Sequence, residues 1–224
     1  APIFPSLIEE GKKGGYDVEM RFSGYPLFLQ FKLSEYMKNN NSKEWDVYNK
    51  PYYRFGIRPA FKSKQHDLLL QLEQKKRNVF YAAPAFHQTD KINKAFLTST
   101  VASNSVFVRP SSIGKISDNS EHNVIFQPNS NIGYFCSEPR MIDTINSENF
   151  IHVLFDGLRK EDYLKNQNDF IKLGNELLTI ASQVMGEEWN ELSKEYLSGL
   201  LNKPEQLVSY FSRLLFNCEF YLVK

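Results

Sequence analysis

Two short segments near the N-terminus alternate between apolar and polar residues, with Phe28 as the one exception, and this pattern constrains the fold more than any other feature. Residues 16–22 and 27–33 both carry apolar side chains at every second position. A period of two is typical of half-buried β-strands. Residues 23–26 (Ser-Gly-Tyr-Pro) between them predict a turn. We therefore expect an antiparallel hairpin in which Phe22 faces Leu27.

Further elements follow from the same kind of pattern. They are a helix over 5–13, a strand over 52–58, a helix over 63–74 and a strand over 79–86. Short strands separated by polar loops follow, and from about residue 147 leucines and aromatic residues recur at helical spacing. The sequence predicts an α/β fold: a mixed sheet with a helix-strand-strand-strand-helix-strand core and additional strands over residues 1–146, and a helical C-terminal part over 147–224.

The net charge of +1 is a cancellation between two unlike parts of the chain. Residues 1–150 hold 19 basic and 15 acidic side chains, a net +4, whereas residues 151–224 hold 8 and 11, a net −3. A chain this neutral does not coat polyanions, so any nucleic-acid site is expected to be local. Basic and aromatic residues interleave over 38–64, a mixture that suits phosphates and bases, although a solvated loop before an edge strand would look alike.

The cellular location is predicted from what the chain lacks. No apolar stretch approaches the roughly 20 residues that span a bilayer, so no membrane partner is expected. The N-terminus, Ala-Pro-Ile-Phe-Pro, carries no basic or apolar leader region. Two cysteines, Cys136 and Cys218, make neither a disulfide framework nor a metal-type spacing. These features predict a reducing, cytoplasmic location.

The predicted hairpin brings a set of polar side chains together. Its register places Asp17 opposite Lys32 and Glu19 opposite Gln30, with Cβ atoms roughly 4.5–5.5 Å apart. Carboxylate and amide oxygens are suitable ligands for Mg²⁺, and a lysine beside them can act on water or stabilise a phosphorane-like transition state. The alternative is an exposed hairpin with a plain surface ion pair.

The order of these elements and residues, over about 5–86, resembles the PD-(D/E)XK nuclease superfamily, which includes many restriction endonucleases. Asp17 matches the metal-binding aspartate of that family. Gln30 occupies the (D/E) position, and Lys32 matches the catalytic lysine. Glu10 or Glu9 matches the acidic residue often present on the first helix.

The resemblance implies hydrolysis of phosphodiester bonds, in DNA first of all, with Mg²⁺ or Mn²⁺ as cofactor and a role in defence against foreign DNA. Residues in the positions where the family often contacts its substrate are expected to bind nucleic acid. They are Arg54, Arg58, Lys64, Gln65 and His66.

Gln30 departs from the family, which usually has a carboxylate there. Glutamine binds metal more weakly, and Glu19 restores the missing charge if the hairpin register holds. The rival interpretation is a non-catalytic nucleic-acid-binding or assembly module that retains a nuclease-like fold. A third interpretation is an interaction protein, in which the C-terminal helices form a homodimer or bind a protein partner.

Two weaker candidates complete the set. His66 and His87 are expected near one edge of the sheet, where α/β proteins often place sites. Cys136 follows a strand-like segment, so a Cys–His nucleophilic pair is conceivable, but a small buried cysteine is the simpler interpretation.

Overall fold

Two five-stranded β-sheets and the helices around them form the described part of the chain. The structure is a computed structural model, and it describes residues 23–136, 139–158, 163–186 and 203–224. The helix predicted over 5–13 and the strand predicted over 16–22 lie outside the described residues. The fold is thus α/β, as predicted, but a restriction-endonuclease-like core is not confirmed.

The strands and helices have the following bounds in chain order. The strands are β1 Tyr25–Phe31, β2 Glu35–Met37, β3 Tyr52–Ile57, β4 Asn78–Pro84, β5 Ser105–Val108, β6 His122–Phe126, β7 Ile132–Phe135, β8 Arg140–Asp143, β9 Ile145–Asn146 and β10 Glu219–Val223. The helices are α1 Trp45–Tyr48, α2 Gln65–Gln74, α3 Thr89–Leu97, α4 Pro110–Ile113, α5 Ser147–Leu158, α6 Gln167–Met185 and α7 Pro204–Phe216, with a 3₁₀ turn over Ala102–Asn104.

The first sheet has the strand order β10-β1-β4-β5-β9, and β1 and β4 are parallel neighbours at its centre. Both strands are buried along almost their whole length. Parallel strands need cover on both faces because neither face is left to solvent. The continuous apolar run of β4 meets that need, and its prediction as a doubly covered strand is confirmed.

The predicted partner of β1 is wrong. The strand begins at Tyr25, so the second half of the predicted turn is already strand. At Leu27 and Leu29, β1 pairs with β10 on one side and with β4 on the other. No edge is therefore open there for the predicted pairing of Phe22 with Leu27. The C-terminal strand that takes this edge is remote in sequence, and local alternation carries no signal of it.

The second sheet has the order β2-β3-β6-β7-β8 and is antiparallel throughout. The strand predicted over 52–58 is confirmed as β3, with Tyr53, Phe55 and Ile57 in the core. The prediction that it shares one mixed sheet with β1 and β4 is wrong, since β3 pairs with β2 and β6.

Both faces of the first sheet are covered by apolar clusters. On one face, Phe28 belongs to the main core, which also takes side chains from α2, α6, α7 and the second sheet. On the other face, Leu29 and Phe80 pack with Phe150 of α5. Because the main core joins Phe28 to Phe211 of α7, it draws on both sides of the predicted boundary at 146/147. That boundary stays a prediction.

Helices are present after residue 147 as expected, but the same part of the chain also contains strand β10, so the prediction of a purely helical part over 147–224 is wrong at its C-terminal end. Helix α6 ends at Met185, before Gly186, and α7 begins at Pro204, positions that suit a glycine after a helix end and a proline in a first turn. No described helix has the length and apolar character needed to cross a membrane. A dimer or partner contact through these helices stays a prediction, as does the cytoplasmic location.

The closing strand β10 supplies a direct stability test. The Phe220 ring lies 5.3 Å from Phe28 and packs on the main core, whereas Tyr221, the next residue, is 43% exposed. We expect Phe220→Ala to lower the free energy of unfolding by about 2 kcal/mol, less than full burial of a phenylalanine would give. The measurement is denaturant unfolding. Tyr221→Ala, on the same strand, is the control and should cost at most about 0.5 kcal/mol; equal losses would contradict this role of β10.

Candidate functional site

The candidate site lies on the inner face of the first sheet, where β1 ends. Gln30 pairs with Tyr81 of β4 in the register of the parallel strands, and the Lys32 amide donates to the Ala82 carbonyl over 2.9 Å. Side chains at every second position of a strand share one face. Gln30 and Lys32 therefore lie on the same face as Phe28, beside Tyr81.

Gln30 is buried, with 3% of its surface exposed, and its Oε1 atom has no hydrogen-bond partner among the described residues. An unpaired buried amide oxygen costs free energy, typically about 1–3 kcal/mol. Such an atom in a native chain needs an explanation, and a cation or a donor from outside the described residues would supply one.

Lys32 lies over an aromatic ring rather than beside a carboxylate. Its Nζ is 5.1 Å from the centre of the Tyr81 ring, within cation–π range. Burial first of all, and then the nearby charge of Arg58, together lower the pKa of Lys32 to about 8. Within the described ranges, neither Lys32 nor Arg58 forms an ion pair. The site thus holds two cations whose charges are not neutralised by any described side chain.

His66 connects Tyr81 of the site to the backbone of Gly114 through two hydrogen bonds. Its Nε2 lies 2.7 Å from the Gly114 carbonyl oxygen, and since that oxygen can only accept, Nε2 donates. The Tyr81 hydroxyl, 2.7 Å from Nδ1, then donates to the ring. Burial lowers the pKa of His66, which favours this neutral form. His66 is 4% exposed, so it holds Tyr81 in place instead of facing a substrate as the sequence predicted.

Two other predicted nucleic-acid contacts are engaged within the protein. The guanidinium of Arg54 makes ion pairs with Glu35 at 2.8 Å and with the buried Glu44 at 3.3 Å. The Gln65 side chain donates from Nε2 to the Phe216 carbonyl over 3.2 Å. These contacts weigh against Arg54 and Gln65 as partners of a substrate.

The remaining two predicted contacts are available. Arg58 and Lys64 are both exposed. Arg58 also borders a surface pocket of about 300 Å³ that is lined in part by Lys62, His122 and Asn123. Of the five residues predicted to touch nucleic acid, the structure thus leaves these two free to do so.

The predicted carboxylates Glu10 (or Glu9), Asp17 and Glu19 lie outside the described residues. Within the described residues, no three acidic, histidine or cysteine side chains are grouped to hold a metal ion. Three buried side-chain oxygens of the described residues lack a hydrogen-bond partner, those of Ser34, Tyr48 and Gln30, and the candidate site contains the Oε1 of Gln30. That atom fits one ligand position of a hard cation, and the other protein ligands would have to come from the carboxylates named above.

Sequence reasoning missed Tyr81 as a site residue. It stands in a continuous apolar run, and only the parallel register places it beside Gln30 and under Lys32. Its full burial raises its pKa well above the usual range, so the hydroxyl stays protonated. No local signal distinguishes it from Phe80, which precedes it in the same run and faces the opposite cluster.

The surroundings of Cys136 disfavour a nucleophilic role. Burial raises the pKa of its thiol to about 12, and the charge of Glu44 acts in the same direction. A thiol with so high a pKa supplies almost no thiolate at neutral pH. The structural interpretation of this cysteine is therefore the better one.

Comparisons with protein-family models, curated proteins and solved structures found no match to this chain. The likeness to PD-(D/E)XK nucleases accordingly rests on the residues and elements of the chain itself.

The electrostatics of the site can be tested through Lys32. We expect Arg58→Ala to raise the pKa of Lys32 above about 8, because a repelling charge is removed, but to leave it below 10.5, because burial persists. The measurement is an NMR titration of the lysine side chain in metal-free protein. Arg54→Ala is the control, since Arg54 is paired with carboxylates; an equal shift in both variants would contradict the assignment.

Proposed function

We propose that this protein is a metal-dependent nuclease that hydrolyses phosphodiester bonds in DNA. The observation that carries the proposal is the buried, unpaired amide oxygen of Gln30 next to the cation of Lys32. Both side chains lie at the carboxyl end of a parallel strand pair, where α/β sheets commonly bind ligands. A role in restriction or defence against foreign DNA follows from the resemblance.

Mg²⁺ or Mn²⁺ would be held by Gln30 Oε1 together with the carboxylates of Asp17 and Glu10, which the resemblance assigns to the metal. When bound, such a cation supplies Lewis acidity toward a phosphate oxygen and lowers the pKa of water. Gln30 itself contributes a neutral ligand, so the carboxylates have to provide the negative charge at the site.

Lys32 is assigned two roles, accepting a proton from the attacking water and stabilising negative charge on the phosphate. With a pKa lowered to about 8, part of its population is neutral near physiological pH and can accept a proton from the attacking water. In its protonated form it stabilises negative charge that develops on the phosphate. The ring of Tyr81 lies under the ammonium and limits where it can point. Arg58 and Lys64 bind neighbouring phosphates.

A non-catalytic nucleic-acid-binding module is the second candidate. The observation that favours it is the neutral Gln30 at the position where the family carries a carboxylate, next to two cations without a described acidic partner. Such a site would attract phosphates while holding metal weakly.

Cleavage assays separate the two candidates. We expect the chain to cleave plasmid or oligonucleotide DNA with Mg²⁺ or Mn²⁺, and Lys32→Ala to reduce the rate by about 10²–10⁴-fold, the range for loss of a proton-transfer group. Lys94→Ala, which removes an exposed cation from α3, is the matched control and should leave the rate unchanged. Unchanged cleavage in Lys32→Ala and in Asp17→Ala would rule out the proposed site.

If no cleavage occurs, the binding module gains support from a different result. DNA affinity should then fall with rising salt. Arg58→Ala should weaken binding more than Arg54→Ala, because the Arg54 guanidinium is already paired with Glu35 and Glu44.

The metal assignment can be tested without any activity. Gln30→Glu introduces a carboxylate at a buried position, and we expect it to lower the melting temperature of metal-free protein, because the desolvation of a buried carboxylate costs more free energy than its attraction to Lys32 returns. Mg²⁺ or Mn²⁺ should raise the melting temperature of this variant more than that of the wild type. Gln88→Glu, at an exposed glutamine, is the control and should show neither effect. An equal metal response in the Gln30 variant and the wild type would contradict the assignment.

A further inference from the structure

An exposed histidine is held rigidly over an aromatic ring close to the candidate site. The His87 ring stacks on Tyr36, with ring centres 4.0 Å apart and planes at 11°. Its Nδ1 lies 2.8 Å from the hydroxyl of Tyr53, which is buried in β3. His87 itself is exposed, so one ring face packs on Tyr36 while the side chain as a whole remains open to solvent.

The topology places this pair at the same edge of the first sheet as Lys32. Strands β1 and β4 are parallel, so their carboxyl ends leave the sheet at the same edge. Lys32 directly follows β1, and Tyr36 comes four residues later, a span of at most about 14 Å. His87 stands three residues beyond the end of β4. The stack therefore lies outside the carboxyl ends of both parallel strands, the region to which the catalytic proposal also points.

The local chemistry suits a nucleic acid with an exposed base. Histidine and tyrosine rings are among the side chains on which unpaired bases stack, and every base has a π-face for this contact. The hydrogen bond to Tyr53 and the stack on Tyr36 already restrict the His87 ring, so less side-chain entropy is lost when a base binds. Lys32 and Arg58, which lack a described acidic partner, are cations that can attract the phosphates of such a strand.

We propose that the His87–Tyr36 stack is a platform for one unpaired nucleobase, so that nucleic acid enters the site single-stranded or locally opened. The inference rests on the proposed function for its substrate class. The requirement for an unpaired base does not depend on cleavage, because a base in a closed duplex has both faces covered by its neighbours and cannot stack on the platform.

Binding to strands with and without bases tests the platform. The probes are two fluorescent single strands of equal length and charge, one with ordinary bases and one with abasic sites along its central part, measured by anisotropy in EDTA so that metal-dependent cleavage cannot occur. We expect the full chain to bind the strand with bases about 5- to 150-fold more tightly, the range for one base–aromatic stack. His87→Ala should abolish most of this preference and leave affinity for the abasic strand unchanged.

Two control variants separate stacking from other effects. Tyr36→Phe keeps the ring under His87 and should keep the preference for bases. His152→Ala removes an exposed histidine from α5 and should have no effect on either strand. Equal affinity of the wild type for both strands, or an unchanged preference in His87→Ala, overturns the inference. Absence of binding to both strands overturns it as well.

The outcome also distinguishes this inference from the proposed function. Cleavage that depends on Lys32, together with an unchanged base preference in His87→Ala, leaves the nuclease standing and removes the platform. A base preference that depends on His87, without cleavage under Mg²⁺ or Mn²⁺, leaves the platform and removes the nuclease.

Discussion

The parallel pairing of β1 with β4 is the constraint on which the rest of the described structure depends. A parallel pair buried on both faces must be covered twice, and the chain supplies the main core on one face and α5 on the other. The same pairing aligns Gln30 with Tyr81 and places the carboxyl ends of β1 and β4 at the same edge of the sheet. Core packing and the position of the candidate site therefore have a single origin.

The site is a group of polar side chains within an apolar interior, and most of them are connected by a chain of hydrogen bonds. The Gly114 carbonyl accepts from His66, His66 accepts from Tyr81, and the Tyr81 ring lies under the ammonium of Lys32. Buried polar groups are tolerated when each has a partner. Gln30 Oε1 is one of four buried side-chain atoms of the described residues without a partner, and its place beside Lys32 is what connects the fold to a proposed cation.

The basic residues of the first 150 positions have two distinct roles in the structure. Arg54 joins β3 to the buried Glu44, to which Asn123 and Tyr52 also donate hydrogen bonds, and so it stabilises the second sheet. Arg58 and Lys64 are left at the surface. Fewer cations are therefore available to a nucleic acid than the net charge of this part suggests. Arg58 and Lys64 support a small contact with a few phosphates.

The sequence by itself determined those elements whose signal is local. Alternation places β1 and β3, a short apolar run places β4, and helix-ending residues such as Gly186 and Pro204 bound α6 and α7, because side-chain period and backbone geometry act between near neighbours. It also singled out Gln30, Lys32 and Arg58, because polar and basic residues stand out within these patterns.

Only the tertiary structure decided which strands pair. It assigned β10 to the edge of β1, moved β3 into a separate sheet, placed Tyr81 beside Lys32 and turned His66 into the core. These outcomes depend on contacts between residues far apart in the chain. The free energy of such contacts comes from burying whole faces together, which no local pattern encodes.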